Sequence, residues 1–472
     1  MKSLKKILII LAFFSFSNFL SAQDVPTVDD INKLEPKLPT KQESLPPEIL
    51  KEEQSKKEGL KSDQLLKILV KDFTFDGNEK YSSDELKKLL KEALNKELDY
   101  YQLVETTKII TRFYRSNGYL ATSYLPPQDI NGGIIKIKIT EAKLGTIIFD
   151  IEDEKKLNLS KEEIRKRILH KVENDGVLNI ERLDKNVRNL NKIPGINALA
   201  QLEEGKNFGE TNVKVTAINT ETLFGNTLVD NNGSRSSGYN KITNTLNFDG
   251  VFNAGERITF TNVLSGDHHI ENNQEESNYY AASSQFPIGY DGMLATFRIS
   301  KMEYKLSAPF DSTKPSGYSS EYNLTLNQPL IESPNFNLNT SLSLANNKYV
   351  NDLGTGNNSD KDTLKSILNI GFDSRDDKLG GGINYGSFGL TLAKVDLTDN
   401  PSNFTTDQAG ADSNGRNFKG TLNLNRLQKL TEKTNMLLKF NGQLAADNLD
   451  GADQLSLGGS NSVRAYPSNE AA

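Results

Sequence analysis

The chain has only three histidines, His170, His268 and His269, and no cysteine. His268 and His269 are adjacent in a predicted loop beside Asp267, a setting that favours a solvated loop over a metal site. Without cysteine there can be no disulfide framework, thiol nucleophile, Cys-ligated zinc or lipid on an N-terminal Cys. Gly380 to Gly382 form a glycine run, but neither a helix nor Lys-Thr follows, so it reads as a turn and not a phosphate cradle. Asp373, Arg375, Asp376 and Asp377 end a predicted strand and read as rim charges, not as a paired-carboxylate site. The expectation is therefore a non-enzyme with no catalytic residue, no metal, no cofactor and no nucleotide. With 62 acidic against 56 basic residues, a nucleic-acid partner is also disfavoured, because that calls for a basic face.

The elements around these residues fall into distinct textures. Lys2, Lys5 and Lys6, the apolar run Ile7 to Leu20, and Ser21-Ala22-Gln23 read as a secretory signal peptide over residues 1–22. Residues 23–66 are polar, rich in Pro, Lys and Glu, and cannot bury enough apolar surface to fold alone. Within them Pro47 and Gly59 bracket a charged helix, Glu48 to Glu58.

Two copies of one element order follow, over 67–142 and 143–218. In the first, Leu69 to Phe75 alternates as a strand, and Ser82 with Glu85 makes a capping box opening a helix to about Leu94. A second helix, Asp99 to Asn117, is closed by Gly118. Ala121 to Leu125 and Ile134 to Ile139 complete the sheet. In the second, Leu144 to Ile151 is a strand, Ser160 with Glu163 is again a capping box, and Asn179 to Leu190 is a helix. Ile196 to Leu202 and Asn212 to Ile218 are its remaining strands. Each copy is β-α-α-β-β, a three-stranded sheet covered on one face by two helices.

From 219 to 472 the charges thin out and Asn, Ser, Thr and Gly accumulate. Strands of about eight to fourteen residues alternate in polarity, from Lys241–Phe252 to Asn435–Ala446. Tight turns such as Asn253-Ala254-Gly255-Glu256 alternate with long polar loops, Leu353–Lys361 and Thr398–Arg416. Only 36% of residues are hydrophobic and no run after residue 22 is long enough for a membrane helix, so a membrane protein of this composition must be a β-barrel. The fold class expected is α+β periplasmic domains followed by an all-β transmembrane antiparallel barrel of about eleven strands. A soluble β-sandwich or β-helix is the lesser reading.

Two motifs carry a specific resemblance. Tyr114-Arg115-Ser116-Asn117-Gly118-Tyr119-Leu120 precedes Tyr124-Leu125-Pro126-Pro127-Gln128-Asp129-Ile130, and near the end stands Gly459-Ser460-Asn461-Ser462-Val463-Arg464-Ala465-Tyr466. With these residues the chain resembles the transporter half of two-partner secretion, the haemolysin secretion/activation (TpsB) family. Its paired β-α-α-β-β units resemble that family's polypeptide-transport-associated (POTRA) domains. The resemblance implies a bacterial outer-membrane protein with its N-terminal domains in the periplasm. Tyr124, Leu125, Pro126, Pro127, Gln128 and Asp129 would serve partner binding. Val463, Arg464, Ala465 and Tyr466 would lie on a loop folded into the lumen, with Arg464 paired to an acidic residue. Ala465 departs from the family pattern, which has Gly there. The Glu48–Glu58 helix would occupy the lumen at rest.

The resemblance further implies the function. The POTRA domains capture an unfolded exoprotein, a TpsA-like adhesin or haemolysin, and the barrel translocates it to the cell surface without nucleotide. The rival readings are a barrel-assembly factor of the same superfamily, which the YLPPQDI signature disfavours, and a passive porin, which needs no POTRA domains. Compared with the family, the chain supplies too few strands to close its barrel. It reads as shortened, with the acidic partner of Arg464 in the missing part.

Overall fold

The computed structural model describes residues 67–455, apart from 131, 152–156, 175, 234–236, 267–275, 307–311, 334 and 355–357. The expected signal segment, the Glu48–Glu58 helix, His268, His269 and the Val463–Tyr466 motif lie outside the described residues.

The first unit runs β1(Ile68–Leu69), β2(Asp72–Asp76), α1(Ser83–Leu89), β3(Glu97–Leu98), α2(Tyr100–Ser116), β4(Ala121–Tyr124) and β5(Ile134–Glu141). Its sheet has the order β2-β5-β4, with β2 parallel and β4 antiparallel to the central strand. The first predicted strand is broken. Val70 and Lys71 interrupt it, so β1 leaves the sheet and pairs with β3. The capping box forms in full, Ser82 accepting from the Glu85 amide and Glu85 from the Ser82 amide, but α1 stops at Leu89 and a 3-10 turn covers Lys91–Ala93. Phe73, Ile135 and Ile137 on the sheet bury against Leu86 of α1 and Ile110 and Tyr114 of α2. This is the alternation of the sequence turned inward.

The second unit repeats the plan with β6(Lys143–Asp150), α3(Lys161–Leu169), a small ladder of β7(Glu173–Asn174) and β8(Val177–Leu178), α4(Ile180–Asn191), β9(Ile196–Glu204) and β10(Glu210–Asn219). Its sheet order is β6-β10-β9. Here the second capping box is only half made. Ser160 accepts from the Glu163 amide, while the Glu163 carboxylate pairs with Arg167 at 3.1 Å. Ile164, Ile168, Leu183 and Leu190 pack on Val213 and Val215.

The remaining strands are β11(Leu223–Asp230), β12(Asn240–Asp249), β13(Arg257–Gly266), β14(Glu276–Ile288), β15(Met293–Lys305), β16(Ser316–Glu332) and β17(Phe336–Asp352), then β18(Asn358–Asp376), β19(Gly382–Asp396), β20(Gly415–Lys429) and β21(Asn435–Ala445). They form one eleven-stranded antiparallel sheet in sequence order, open between β11 and β21 among the described residues. Five strands exceed the expected length, β19 and β20 at 15 residues, β16 and β17 at 17 and β18 at 19. The last four residues of the predicted loop Leu353–Lys361 belong to β18. The predicted loop Thr398–Arg416 contains α5(Pro401–Ala409), whose N-cap Asn400 accepts from the Asn403 amide.

Candidate functional site

The sheet is inside out. In β12, Lys241, Thr243, Thr245, Asn247 and Asp249 are buried, while Leu246 on the opposite parity is exposed. In β17 and β18 the buried set is Asn347, Asn351, Lys361, Thr363 and Lys365. The exposed set is Leu342, Leu344, Leu364, Leu368 and Ile370. Cross-strand register keeps the two sets on opposite faces, since Leu342 pairs with Leu368 and Asn347 with Thr363. Burying hydroxyls and amides while exposing leucine is unfavourable in water and favourable only where the outer medium is hydrocarbon. On the outer face a polar row, Asn244, Asn262, Tyr280, Lys301 and Ser320, follows the ladder pairings. It bounds the apolar band on one side, and exposed Tyr280 and Tyr322 lie there as an aromatic belt does.

The inner wall is hydrogen-bonded to itself. Tyr304 donates to Asn351 at 2.9 Å, Asn347 donates to Thr363 at 3.2 Å, and Arg298 donates to Glu321 at 2.6 Å. At the short-turn end, Arg257 holds Asp249 with two bonds at 2.7 and 2.8 Å. Asp376, one of the predicted rim charges, accepts from Arg426 at 2.7 and 3.0 Å and from Asn384 at 2.8 Å, tying β18 to β19 and β20. The glycine run beside it is a turn in which Gln428 donates to the Leu379 and Gly381 carbonyls, each at 3.0 Å.

The second unit docks on this end. Arg182 of α4 donates to Asp291 in the β14–β15 turn, Lys192 pairs with Glu332, and Arg167 donates to the Gly289 carbonyl at 2.9 Å. His170, one of the three imidazoles, lies in this joint, its ring 5.3 Å from that of Tyr290 and its Nε2 3.4 Å from Asp291. Arg182 and Lys171 hold the Asp291 carboxyl down at about 2, against a smaller opposing effect of burial. The first unit is joined to the second through Gly118, whose φ of +82° closes α2. A Cβ there would meet Glu181 at 2.9 Å, and the Gly118 carbonyl accepts from the Ile180 amide at 2.8 Å.

The two N-terminal motifs have distinct structural places. Tyr114 is fully buried and donates to Glu141 at 2.5 Å; burial, then that carboxylate, pushes its hydroxyl well above the usual tyrosine range. In the second motif Leu125 packs on the first core, and Tyr124, Pro127 and Asp129 are exposed. Gln128 acts as a stand-in strand. Its amide donates to the Lys136 carbonyl and accepts from the Lys136 amide, both at 2.7 Å, where β4 has ended and β5 would be bare. The inward lysines Lys361, Lys365 and Lys419 escaped the sequence reading. The available signal was Lys361, Thr363 and Lys365 on the parity opposite to Leu364 and Leu368 in an alternating membrane strand, a face that has to line the lumen.

The profile of the haemolysin secretion/activation protein family ShlB/FhaC/HecB matches residues 209–472, more than half of the chain. The chain belongs to that family. A ShlB-type POTRA domain profile matches residues 68–142. The heme/hemopexin transporter protein HuxB of Haemophilus influenzae strain 86-028NP is 25% identical over 399 residues, 84% of this chain and 68% of the relative. The outer membrane transporter CdiB of Dickeya dadantii is 23% identical over 388 residues, 79% of this chain and 64% of the relative. In fold, the chain is similar to CdiB from Escherichia coli, with a TM-score of 0.69, 20% identity, and coverage of 90% of this chain and 76% of that one. Membership makes this chain an outer-membrane transporter of the two-partner secretion type with its POTRA region in the periplasm. The short-turn end of the barrel, where the second unit docks, is thus the periplasmic mouth.

Proposed function

We propose that the two periplasmic units receive an unfolded exoprotein, a TpsA-like adhesin or haemolysin, as an extended segment, and that the barrel passes it to the cell surface. The observation that carries this is the lumen wall. Asn, Ser and Thr recur along it, among them Thr243, Asn247, Ser319, Asn347 and Thr363, groups that hydrogen-bond an extended chain weakly and without preference for any one side chain. A passage must bind its cargo weakly enough to release it, and such a wall does. Two sheet-bearing units at the mouth complete the reading. Their outer strands β2, β4, β6 and β9 can take an added strand, and Tyr124, Pro127 and Asp129 stand exposed beside β4. Residues 67–142 and 143–218 act as separate capture modules, and residues 219–472 as the conduit. No nucleotide enters the cycle, so folding of the exoprotein outside supplies the direction.

The test is retention on immobilised residues 67–218. The N-terminal domain of a secreted adhesin should be held when unfolded and released when folded. Retention of unfolded outer-membrane barrel proteins instead would move the protein to barrel assembly. Retention of neither would leave a porin-like pore.

A further inference from the structure

After β21 the chain turns back into the barrel. Asp450 caps a short turn, Gly451–Asp453, by accepting from the Ala452 amide at 3.0 Å, and Gln454 closes it by donating to the Leu449 carbonyl at 3.0 Å. One side of this turn meets an aromatic pad on the inner wall, where Ala452 packs against the cluster containing Tyr279, Met302, Tyr304 and Tyr349. The other side meets ammonium groups. Lys361 pairs with Asp450 at 2.6 Å, and Asp453 accepts from Lys365 at 3.1 Å and Lys419 at 2.8 Å. Lys419 also donates to the Asp453 carbonyl at 2.7 Å.

The side chains of Lys361 and Asp453 are 5% and 6% exposed, and none of the five charged side chains exceeds 15%. The wall is shaped for this convergence. Lys361 and Lys365 share the inward parity of β18, and Lys419 faces in from β20. Between them β19 offers only the buried Thr391 and Ala393, paired with Lys419 and Lys365, so both lysine stems can lean over it. Three ammonium groups gathered with little water repel one another unless carboxylates sit among them. The wall therefore favours the turn inside the lumen over the turn outside it.

We propose that Lys361, Lys365 and Lys419 form a fixed clamp that pins the Asp450–Asp453 turn inside the lumen and so sets how much of the passage this returning segment occupies. These are positioning residues. The clamp sits on the wall strands and acts through the segment, whatever the exoprotein.

Two readouts on a full-length version carrying these residues, inserted in a membrane as a closed barrel, test the clamp without any exoprotein, so its failure is distinct from failure of the transport reading. The first is single-channel conductance in planar bilayers. The double variant Asp450→Asn/Asp453→Asn should raise it about twofold, as a released segment vacates the pore, while Asp453→Glu keeps the original value. The second uses the absence of cysteine. Ala452→Cys in an otherwise unchanged chain should resist a membrane-impermeant maleimide, and the Asp-to-Asn pair should speed its labelling about tenfold. Unchanged conductance in a correctly inserted double variant overturns the clamp. So does rapid labelling of Ala452→Cys alone, a measurement that holds even if the double variant does not insert.

Discussion

Gln128 shows how a motif can be legible while its work is not. Tyr124 to Ile130 marks the family, and the natural expectation is partner contact. The structure also gives the Gln128 amide the task of a missing strand residue on Lys136. Nothing in the spacing tells which carbonyl a side chain eight residues upstream will reach. Losing both bonds hands the Lys136 peptide at the sheet edge to water, at a net cost of about 0.5–1.5 kcal/mol per bond. Gln128→Ala should therefore lower the urea midpoint of the first unit, and Pro127→Ala should not. Arg464, outside the described residues, remains a proposal of the same grain. If it holds a lumenal loop by an ion pair, a full-length version carrying Arg464→Ala should insert normally and secrete poorly. A cost of about 3–5 kcal/mol for a buried unpaired charge, less in a wet lumen, is enough to depopulate one loop position. Original secretion at equal membrane abundance would remove that role.

Between elements, the informative contact is that of α4 with the β14–β15 turn. Asp291 is about half exposed, yet Arg182 and Lys171 together lower its pKa from 3.8 to about 2. A depressed carboxylate contributes to docking fully above its ordinary pKa and loses that contribution as the pH falls toward its folded value. Docking of the second unit should thus hold at neutral pH and weaken between pH 3.8 and about 2. Spin-label distances between α4 and β15 should broaden over that window, and Asp291→Asn should broaden them already at pH 7. If the distances in Asp291→Asn match those of the parent, the joint rests on Lys192 and Glu332 instead. Strand and helix periodicity was legible almost throughout, because burial in each unit is one-sided. What escaped lacked that one-sidedness. The strand β11, with Gly225 and Asn226 at its centre, is specified mainly by its pairing with β12. The outer parts of β16 to β18 extend beyond the apolar band, where both faces are polar and read as loop.

At the scale of the molecule two kinds of core coexist. The periplasmic units bury apolar side chains and the sheet exposes them. Residues 67–218 should accordingly unfold in a single cooperative transition in detergent-free buffer, because Gly118, Tyr119 and Val177 knit the two cores together. Two resolved transitions would mean that the joint at Gly118 is weaker than its bonds suggest. The expectation of a barrel rested on alternation, and the open edges at β11 and β21 follow from pairing that no local pattern displays.

The same alternation bears on a stage before folding. A strand with leucine or phenylalanine only at every second position has no long greasy stretch, and the mean hydropathy of the chain is −0.54. No helix among the described residues is long and apolar enough to cross a bilayer. A translocon in the inner membrane, which releases sideways whatever is continuously apolar, finds nothing in these strands to retain. The wall that later lies in lipid can thus travel through water first, and it becomes membrane-compatible only once neighbouring strands have satisfied its peptide groups.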